Sequence, residues 1–557
     1  MTVSYSGLKR VAFFCLMLPT VFFAVGFLKW YIGIPVAALV AVAYAFTIRD
    51  SVAEECLESD GENRITLPTG ALIATGVLAV VWCYLSGIGN LYYQSDDWSA
   101  RNAVFRDLIS HDWPVVYEIK DSALVYYIGF WLPPAALGKL VLAATGELET
   151  AFLVGNMALW VYSSFSLALA VLATAVFVRA DSPRRIALLF AVAVLFSGLD
   201  IVGSLFNRIV RGTEIGNHIE WWSPYQISSL ATCLGWVFNQ AVPSWLATAC
   251  FICERRMRSY AFILVLSAAS SPFACVGLGI YMAGVGAASL VRAVKGGRTG
   301  ELLREVFTVQ NIILALAVLP IYLLYYTTNL AVSQSQGTID LNRRADLLTV
   351  IFLVGAFCFF IGLFFRGKAK NRGRRELLII VALNACLIVA AVFNREINLY
   401  YLSAVFLEGG IYLALIWRQN RREPLFYLTL LVLLICPLIR VGTSVDFCMR
   451  ASIPAVFVLM ALCVRFLLAK KEGSENERIV GRALGFALAV LLAVGAVTPY
   501  KEFKRGFDTV IEEGKLILVN DTVGSFDQIF DGDRTGLDRN FIATDYKSTV
   551  FFKYFAR

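Results

Sequence analysis

Two adjacent carboxylates, Asp96 and Asp97, lie in the stretch NLYYQSDDWSARNAVFRDLISHDWPV, between one hydrophobic run and the next. A carboxylate in such a place could take a proton from a hydroxyl group that acts as a nucleophile. A neighbouring carboxylate could raise the pKa of the first, orient the hydroxyl or bind a divalent cation. The alternative is structural, because Asp is favourable at the start of a helix. We therefore treat the pair as candidate catalytic residues and as the candidate ligands of any metal, whose identity stays open.

Arginines lie next to predicted spans in two later loops, FNREINLYY and RVGTSVDFCMRASIP. An arginine at the end of a span suits a phosphate group, because its guanidinium is always charged and can donate two parallel hydrogen bonds. The alternatives are a side chain that extends to the membrane surface and a simple ion pair, such as Arg450 with Asp446. The candidates for binding a donor phosphate are Arg450, Arg395 and Arg440.

The chain has only two histidines, and both His111 and His218 fall in loops that the charge pattern assigns to the outer side. The loop NRIVRGTEIGNHIEWWSPYQ also carries two adjacent tryptophans. Their rings could belong to the aromatic belt at the membrane surface or stack on the C–H face of a sugar. The candidates for substrate binding are His218, Glu220, Trp221, Trp222, His111 and Tyr126.

Three of the polar residues inside predicted spans are candidates for a functional role. Glu408 lies in FLEGGIY, where a carboxylate is costly and marks either a functional site or a protonated, hydrogen-bonded structural residue. Asn239 and Gln240 also need partners there, so they either hydrogen-bond other helices or line a polar cavity. The sequence leaves these alternatives open.

The composition is that of an integral membrane protein. Of the 557 residues, 58% are hydrophobic and 16% charged, against about 25% charged in soluble domains. The apolar runs predict an all-α polytopic protein with about 15 spans. The runs are 11–28, 31–48, 68–89, 150–178, 186–206, 227–252, 259–271, 273–291, 308–328, 346–365, 377–393, 401–417, 424–439, 452–468 and 480–498.

The lysine- and arginine-rich loops predict the orientation of these spans. They all fall on the cytoplasmic side if 123–145 does not cross the membrane, and 91–149 is then one long outer loop. We expect an amphipathic helix at about 97–110 and a second helix along the interface at 123–145, whose central Pro133-Pro134 argues against a straight span. The active site is then expected on the extracytoplasmic side.

Three regions follow from this topology. Residues 1–67 form two extra N-terminal spans with a cytoplasmic loop, and 68–498 form the transmembrane body. Residues 499–557 have mixed charge and strand-like runs (KLILVN, FIAT, TVFF), which predicts a small extracytoplasmic α/β cap. The net charge of +8 is modest for a membrane protein with basic inner loops, so we expect no nucleic-acid partner.

The order of features over about 90–180 resembles the GT-C superfamily of membrane glycosyltransferases. In that superfamily a span is followed by an acidic pair, by an amphipathic helix that ends in a WP-type element, and by an interfacial helix rich in Tyr and Pro. Here these features are LYYQSDDWSARNAVFRDLISHDWPV and YYIGFWLPPAALGKL. The two extra N-terminal spans and Trp98 directly after the acidic pair depart from the pattern.

The resemblance implies an inverting glycosyltransferase that uses a polyprenyl-phosphate sugar on the outer membrane face. It places the catalytic base at Asp96, with Asp97 beside it. We expect a cell-surface glycan or glycolipid as acceptor, membrane lipids as surroundings and the bacterial plasma membrane as location. The alternatives are a transporter or flippase of lipid-linked saccharides, which Glu408 favours, and a polysaccharide polymerase or ligase.

Overall fold

The structure is a computed structural model, and it is mostly helical with two small sheets. It describes residues 1–57, 63–118, 121–219, 225–334, 401, 403–439, 441, 446–469, 474–520, 523–529 and 537–557. The first half contains α1 Tyr5–Phe27, α2 Trp30–Leu57, α3 Thr69–Leu85, α4 Trp98–Ser110, α5 Leu132–Thr145, α6 Leu148–Val178, α7 Pro183–Leu195, α8 Asp200–Arg211, α9 Leu230–Cys253, α10 Tyr260–Ala268 and α11 Pro272–Lys295.

The second half contains shorter described helices and the last strand. These helices are α12 Thr299–Val306, α13 Val309–Ile313, α14 Leu319–Tyr326, α15 Leu330–Gln334, α16 Ile411–Asn420, α17 Pro424–Ile435, α18 Asp446–Ala451, α19 Ile453–Leu468, α20 Glu475–Gly495, α21 Val497–Glu513 and α22 Phe526–Ile529. The strands in the described ranges are β1 Thr2–Ser4, β2 Arg64–Thr66, β3 Val116–Tyr117, β4 Ser122–Leu124 and β5 Ile542–Thr544.

Seven helical segments in the described ranges are long and apolar enough to cross a membrane, which confirms a multi-pass membrane protein. Four shorter apolar helices accompany them, while the runs 346–365 and 377–393 lie outside the described residues. The count of about 15 spans therefore stays a prediction. The seven segments are Tyr5–Phe27, Trp30–Glu55, Leu148–Val178, Pro183–Ile209, Pro272–Lys295, Val309–Tyr326 and Glu475–Glu513.

The N-terminal helices are fixed to the body by ion pairs, the first of which is fully buried. The ammonium of Lys9 on α1 lies 2.8 Å from a carboxylate oxygen of Glu254, and both side chains are at most 2% exposed. Arg258 donates two hydrogen bonds to Asp50 on α2, at 2.9 and 3.1 Å. Removing one member of such a buried pair leaves a charge without compensation, so these contacts set the position of α1 and α2. Residues 1–57 thus pack as part of one bundle.

The segment between α3 and α6 only partly follows the sequence prediction. The helix expected at about 97–110 is confirmed as α4, although α4 is buried over most of its surface. The prediction of a helix at 123–145 is wrong for its first half, because 122–124 is strand β4 and α5 begins at Leu132. The reason is local: Pro133 and Pro134 fall in the first turn of α5, where a missing N–H costs little.

The C-terminal segment completes a sheet that begins in this same loop. Strand β5 pairs antiparallel with β4, with Ser122 opposite Thr544 and Leu124 opposite Ile542, and β3 pairs with the other edge of β4. The predicted strand FIAT is thus confirmed at 542–544. KLILVN is irregular and TVFF runs into a π-helical turn at Phe551–Phe555, so those two strand predictions are wrong. A three-residue strand gains stability from its partners, so the segment depends on the body.

A glycine on α11 allows a close approach of α18. A Cβ added at Gly277 would overlap the backbone carbonyl of Ala451, whereas a Cβ at Gly286 on the same helix meets no atom within 4 Å. We expect Gly277→Ala to destabilise the protein by about 1–3 kcal/mol, because backbone atoms cannot move aside as a flexible side chain can. Gly286→Ala is the matched control, and it should hold or raise the melting temperature, since Ala favours helix.

Thermal unfolding of the two purified variants in the same detergent measures this difference. Equal melting temperatures for Gly277→Ala and the wild type would contradict the close packing of α11 against α18.

Candidate functional site

Asp96 and Asp97 precede α4 at the surface, and both are exposed. Asp97 occupies the N-cap position of α4, but its side chain makes no capping hydrogen bond. Its carboxylate instead accepts a hydrogen bond from Arg101, one turn later, at 3.0 Å. The backbone carbonyl of Asp96 accepts from Ser99, while its carboxylate contacts no donor within the described ranges. The capping interpretation is therefore wrong for the Asp97 side chain, and the two carboxylates differ in their surroundings.

Arg101 is a buried cation that uses only part of its hydrogen-bonding capacity. Its side chain is 5% exposed, while that of its partner Asp97 is 53% exposed. Two of its nitrogens, Nε and Nη1, are buried without a hydrogen-bond acceptor among the residues that the structure describes. A buried donor without an acceptor is costly, so these nitrogens point to an anionic or polar ligand.

Arg450 on α18 repeats this arrangement. Its guanidinium lies 2.6 Å from Asp446, four residues earlier, and its side chain is 7% exposed. Its Nε is also buried without an acceptor in the described part of the chain. The guanidinium carbon lies 5.3 Å from the ring centre of Tyr127, in the range of a cation–π contact. The ion pair with Asp446, one of the alternatives that the sequence left open, is therefore present, yet it leaves the Nε of the guanidinium without an acceptor among the described residues.

Tyr126 lies near both arginines. It interacts electrostatically with Arg450 and Arg101, and more weakly with the carboxylates that accompany them. Burial raises the pKa of Tyr126 and outweighs the opposite effect of the two cations. The hydroxyl therefore stays protonated at neutral pH and can donate a hydrogen bond. We call this group the paired-arginine site, and its members are Asp97, Arg101, Tyr126, Asp446 and Arg450.

The position of Tyr126 is set by three parts of the chain. Its backbone N–H donates to the hydroxyl of Tyr325 on α14, at 3.2 Å. Its ring stacks on Phe541, next to β5, with ring centres 4.2 Å apart, and the ring centre of Tyr127 lies 4.6 Å away. The side-chain amide of Asn239 on α9 donates to the Tyr127 carbonyl at 3.1 Å. Loop, body and C-terminal segment thus meet at one tyrosine.

Helix α9 is distorted where it meets α4. Val237 has non-helical backbone angles, φ −139° and ψ 37°, and the nearby carbonyl of Gly235 accepts a hydrogen bond from the Trp98 indole at 2.7 Å. The Trp98 ring also stacks on Phe238, with ring centres 5.0 Å apart. The side-chain oxygen and nitrogen of Gln240 are buried without a partner within the described residues. Trp98 thereby holds the start of α4, and the acidic pair with it, against α9.

The two histidines do not contact the paired-arginine site. His218 lies 2.7 Å from Glu502 on α21 and packs on Trp236, with ring centres 4.7 Å apart. His111 follows α4, and its ring lies 2.9 Å from Ser110 and 3.9 Å from Asp107. The prediction grouped both with substrate binding, whereas the structure places them in two other clusters.

The cluster around His111 joins the loop to the C-terminal segment. Asp107 is buried and accepts hydrogen bonds from the Tyr117 hydroxyl and the Phe526 backbone N–H, both at 2.9 Å. Burial raises the pKa of Asp107, although these two donors and His111 act against that effect. Asp107 thus joins α4 to β3 and to the C-terminal segment, which indicates a structural role for this cluster.

The remaining candidates are either outside the described residues or buried elsewhere. Glu408 is 3% exposed in the π-helical turn Phe406–Gly410, and it packs so closely on Gly198 that a Cβ there would overlap its carboxylate. Across the described part of the chain, no three His, Cys, Asp or Glu side chains come together as a metal site would require. The candidates outside the described residues are Arg395, Arg440, Glu220, Trp221 and Trp222.

Sequence reasoning missed Arg101, although a signal for it was present. Both halves of the site are an aspartate followed four residues later by an arginine, in DWSAR and in DFCMR. On a helix this spacing puts the two side chains on one face, where they pair. The repeated spacing could have suggested that the two segments act together.

Comparison with known proteins gives no relative from which a function could be transferred. No family model matches the chain, no curated protein matches it, and no solved structure matches it. The functional argument therefore depends on the geometry of the site.

Proposed function

We propose that the protein is an inverting glycosyltransferase that moves a sugar from a polyprenyl-phosphate donor to a hydroxyl acceptor at the extracytoplasmic face of the bacterial plasma membrane. The observation that carries this proposal is that two buried arginines with unused donors, Arg101 and Arg450, both interact electrostatically with Tyr126, beside two exposed carboxylates. Two buried guanidinium groups with unused donors suit a phosphate. Such a pair next to a carboxylate is what transfer from a phosphate to a hydroxyl requires.

In the proposed reaction the acceptor oxygen attacks the anomeric carbon of the sugar. The bond between that carbon and the phosphate oxygen breaks, and polyprenyl phosphate leaves with the bonding electron pair. Asp96 accepts the proton of the acceptor hydroxyl, because its carboxylate is exposed and has no described donor. Arg101, Arg450 and the Tyr126 hydroxyl stabilise the phosphate as it gains charge. Asp97 holds Arg101 in place.

The acceptor is a cell-surface glycan or glycolipid, and the surrounding partner is the lipid bilayer. The proposed reaction is compatible with a divalent cation bound by Asp96 and Asp97, but it does not require one. The main alternative is a transporter or flippase of lipid-linked saccharides, followed by a polysaccharide polymerase or ligase. All three would bind a lipid-linked sugar, so binding alone does not separate them.

A transfer experiment separates these classes. The full chain is reconstituted in sealed vesicles with radiolabelled polyprenyl-phosphate hexose or pentose and with envelope lipids and glycans as acceptors. The proposal expects label to appear in an acceptor, with release of polyprenyl phosphate. Movement of label across the membrane without any transfer would overturn it in favour of a transporter, and growth of a long polymer would favour a polymerase.

A further inference from the structure

A cavity lies near the C-terminal end of α4, between the loop that follows this helix and the C-terminal segment. Its volume of about 620 Å³ falls within the range of small-molecule sites, about 300–1,000 Å³. Its walls include Trp113 and Val116 from the loop, Lys139 from α5, and Lys547 and Arg557 from the C-terminal segment. We call it the α4-end pocket.

The α4-end pocket is separate from the paired-arginine site. Helix α4 has 13 residues and is therefore roughly 20 Å long. The acidic pair precedes its first turn, whereas Asp112 and Trp113, which line the pocket, follow its last turn. The pocket also borders Gly26, in the last turn of α1. With Lys9 on the cytoplasmic side, as the charge pattern predicts, this end of α1 lies at the outer face.

The lining of the α4-end pocket carries an excess of positive charge. Among the lining residues that the structure describes, Lys139, Lys547 and Arg557 are cations and Asp112 is the single carboxylate. Lys547 also pairs with Asp121 at 2.8 Å, but the two side chains are 71% and 68% exposed. Such an exposed pair contributes little, so Lys547 can exchange Asp121 for another anion. The lining therefore favours a negatively charged ligand.

Lys139 is held in a fixed direction without losing its charge. Its ammonium donates to the backbone carbonyls of Ile109 and His111 at the end of α4. It also lies 5.6 Å from the ring centre of Trp113, in the range of a cation–π contact. Two carbonyls and a ring carry no net charge, so these contacts orient the ammonium but do not neutralise it.

Aromatic rings form the apolar part of the walls. Trp113, Tyr546 and Phe552 line the pocket beside the cations, and the rings of Tyr546 and Phe552 meet edge to face with centres 5.1 Å apart. An aromatic wall suits the C–H face of a sugar ring, and a neighbouring lysine or arginine suits an acidic group on that sugar. A neutral sugar would leave the cations uncompensated, and an inorganic anion would leave the rings uncovered.

The C-terminal wall of the pocket is held against the end of α1. The backbone N–H of Arg557 donates to the carbonyl of Phe27, and the backbone N–H of Lys29 donates to the carbonyl of Phe555, both at 2.9 Å. These two bonds join segments from opposite ends of the chain. The pocket is thus formed before any ligand binds, which lowers the entropy cost of binding.

We propose that the α4-end pocket binds an acidic saccharide, a sugar that carries a carboxylate or a phosphate group. Lys139, Lys547 and Arg557 bind the acidic group, and the sugar ring lies against the aromatic wall. Such a site holds an acidic glycan of the cell envelope at the outer face without placing it at Asp96. This inference goes beyond the proposed glycosyltransferase function and does not depend on it.

Titration calorimetry of the full chain in phosphatidylcholine nanodiscs tests the site without any sugar transfer. Digalacturonic acid and a galactose phosphate represent the two kinds of acidic group, galactobiose is the neutral sugar, and inorganic phosphate is the anion without a sugar. We expect at least one acidic sugar to bind about tenfold or more tightly than both galactobiose and inorganic phosphate do. If neither acidic sugar bound more tightly than these two controls, the proposal would be overturned.

Variants of the lining cations make this test specific. Lys139→Gln should lower the affinity for the acidic sugar by about 10- to 100-fold. Because Lys139 also contacts the end of α4, the exposed Lys547 and Arg557 are changed together to Gln as a second test that leaves the packing intact. Lys553→Gln, an exposed lysine of the same segment outside the lining, is the charge control and should bind as the wild type does. Unchanged affinity in both lining variants, or an equal loss in Lys553→Gln, would contradict the assignment.

A competition experiment separates a saccharide from a lipid headgroup. Dihexanoylphosphatidylglycerol, a soluble anionic lipid, should not displace the acidic sugar from the wild-type protein. Displacement at the concentration of the sugar itself would show that the pocket takes a lipid headgroup, and the saccharide assignment would fail.

The proposed function and this inference fail in different ways. Asp96→Asn should bind the acidic sugar with unchanged affinity, and a loss of binding would show that the two sites are not separate. Binding of an acidic sugar by a protein that transfers no sugar would overturn the glycosyltransferase proposal and leave the α4-end pocket in place. Transfer by a protein that binds none of the acidic probes would do the reverse.

Discussion

Replacement of Asp96 by Asn is expected to slow sugar transfer by about 10²–10⁴-fold, the usual contribution of a general base. The side-chain amide of Asn has the size of the carboxylate but cannot take the proton from the hydroxyl of the acceptor. Asp96 is exposed, so the substitution leaves the packing of α4 intact. The rate of transfer under saturating donor, with the melting temperature measured alongside, gives the result.

Two neighbouring aspartates provide the controls for this experiment. Asp112 is exposed in the same loop and is not part of the site, so Asp112→Asn should transfer sugar at the wild-type rate. Asp97→Asn should act through Arg101, which it hydrogen-bonds at 3.0 Å, and should mainly raise the KM for the donor. If Asp97→Asn lost kcat and Asp96→Asn did not, the roles of the two residues would have to be exchanged.

Replacement of Arg450 by Lys is expected to lower kcat/KM for the donor by about 10- to 100-fold, since hydrogen bonds to charged groups contribute about 1.5–3 kcal/mol. Lysine keeps the charge beside Asp446 but lacks the planar fork that grips a phosphate at two oxygens. The KM for the acceptor should change little. Donor titrations at saturating acceptor measure the first effect, and acceptor titrations measure the second.

Arg465→Lys is the matched control for Arg450→Lys. Arg465 lies on α19, is largely buried and donates to the side chain of Asn420 at 2.8 Å, away from the paired-arginine site. Both substitutions alter one buried guanidinium, so a loss of stability should appear in both. A fall in kcat/KM of equal size in the two variants would show a general structural effect and remove Arg450 from the phosphate site.

Local sequence patterns predicted the helical parts of the site well. After Asp97 the apolar residues recur with the helical period, and this pattern predicted the bounds of α4 to within one residue. The charge and chemistry of Arg450 indicated an anion at the end of a span, and the structure places its guanidinium over the ring of Tyr127, next to Tyr126. Both inferences need only residues close together in the chain.

The contacts between distant segments could not be predicted in this way. From the sequence, β4 was predicted as part of an interfacial helix, because its pairing with β5 is a contact between distant segments. Neither short strand carries a sequence pattern that identifies the other as its partner. His218 was predicted to bind substrate, but in the structure its Nδ1 lies 2.7 Å from Glu502, on a helix far along the chain. A single sequence holds no record of which distant segments meet, so the clusters around Asp107 and Glu502 emerge only in three dimensions.

The pairing of β4 with β5 can form only late in the synthesis of the chain. About 420 residues separate the two strands, and at ~5–20 residues per second the ribosome needs roughly 20–80 s to make the second after the first. During that interval Tyr126 lacks Phe541 at its ring, because Phe541 directly precedes β5. The surroundings of Tyr126 are therefore completed only when the last segment of the chain returns to a loop made near the beginning.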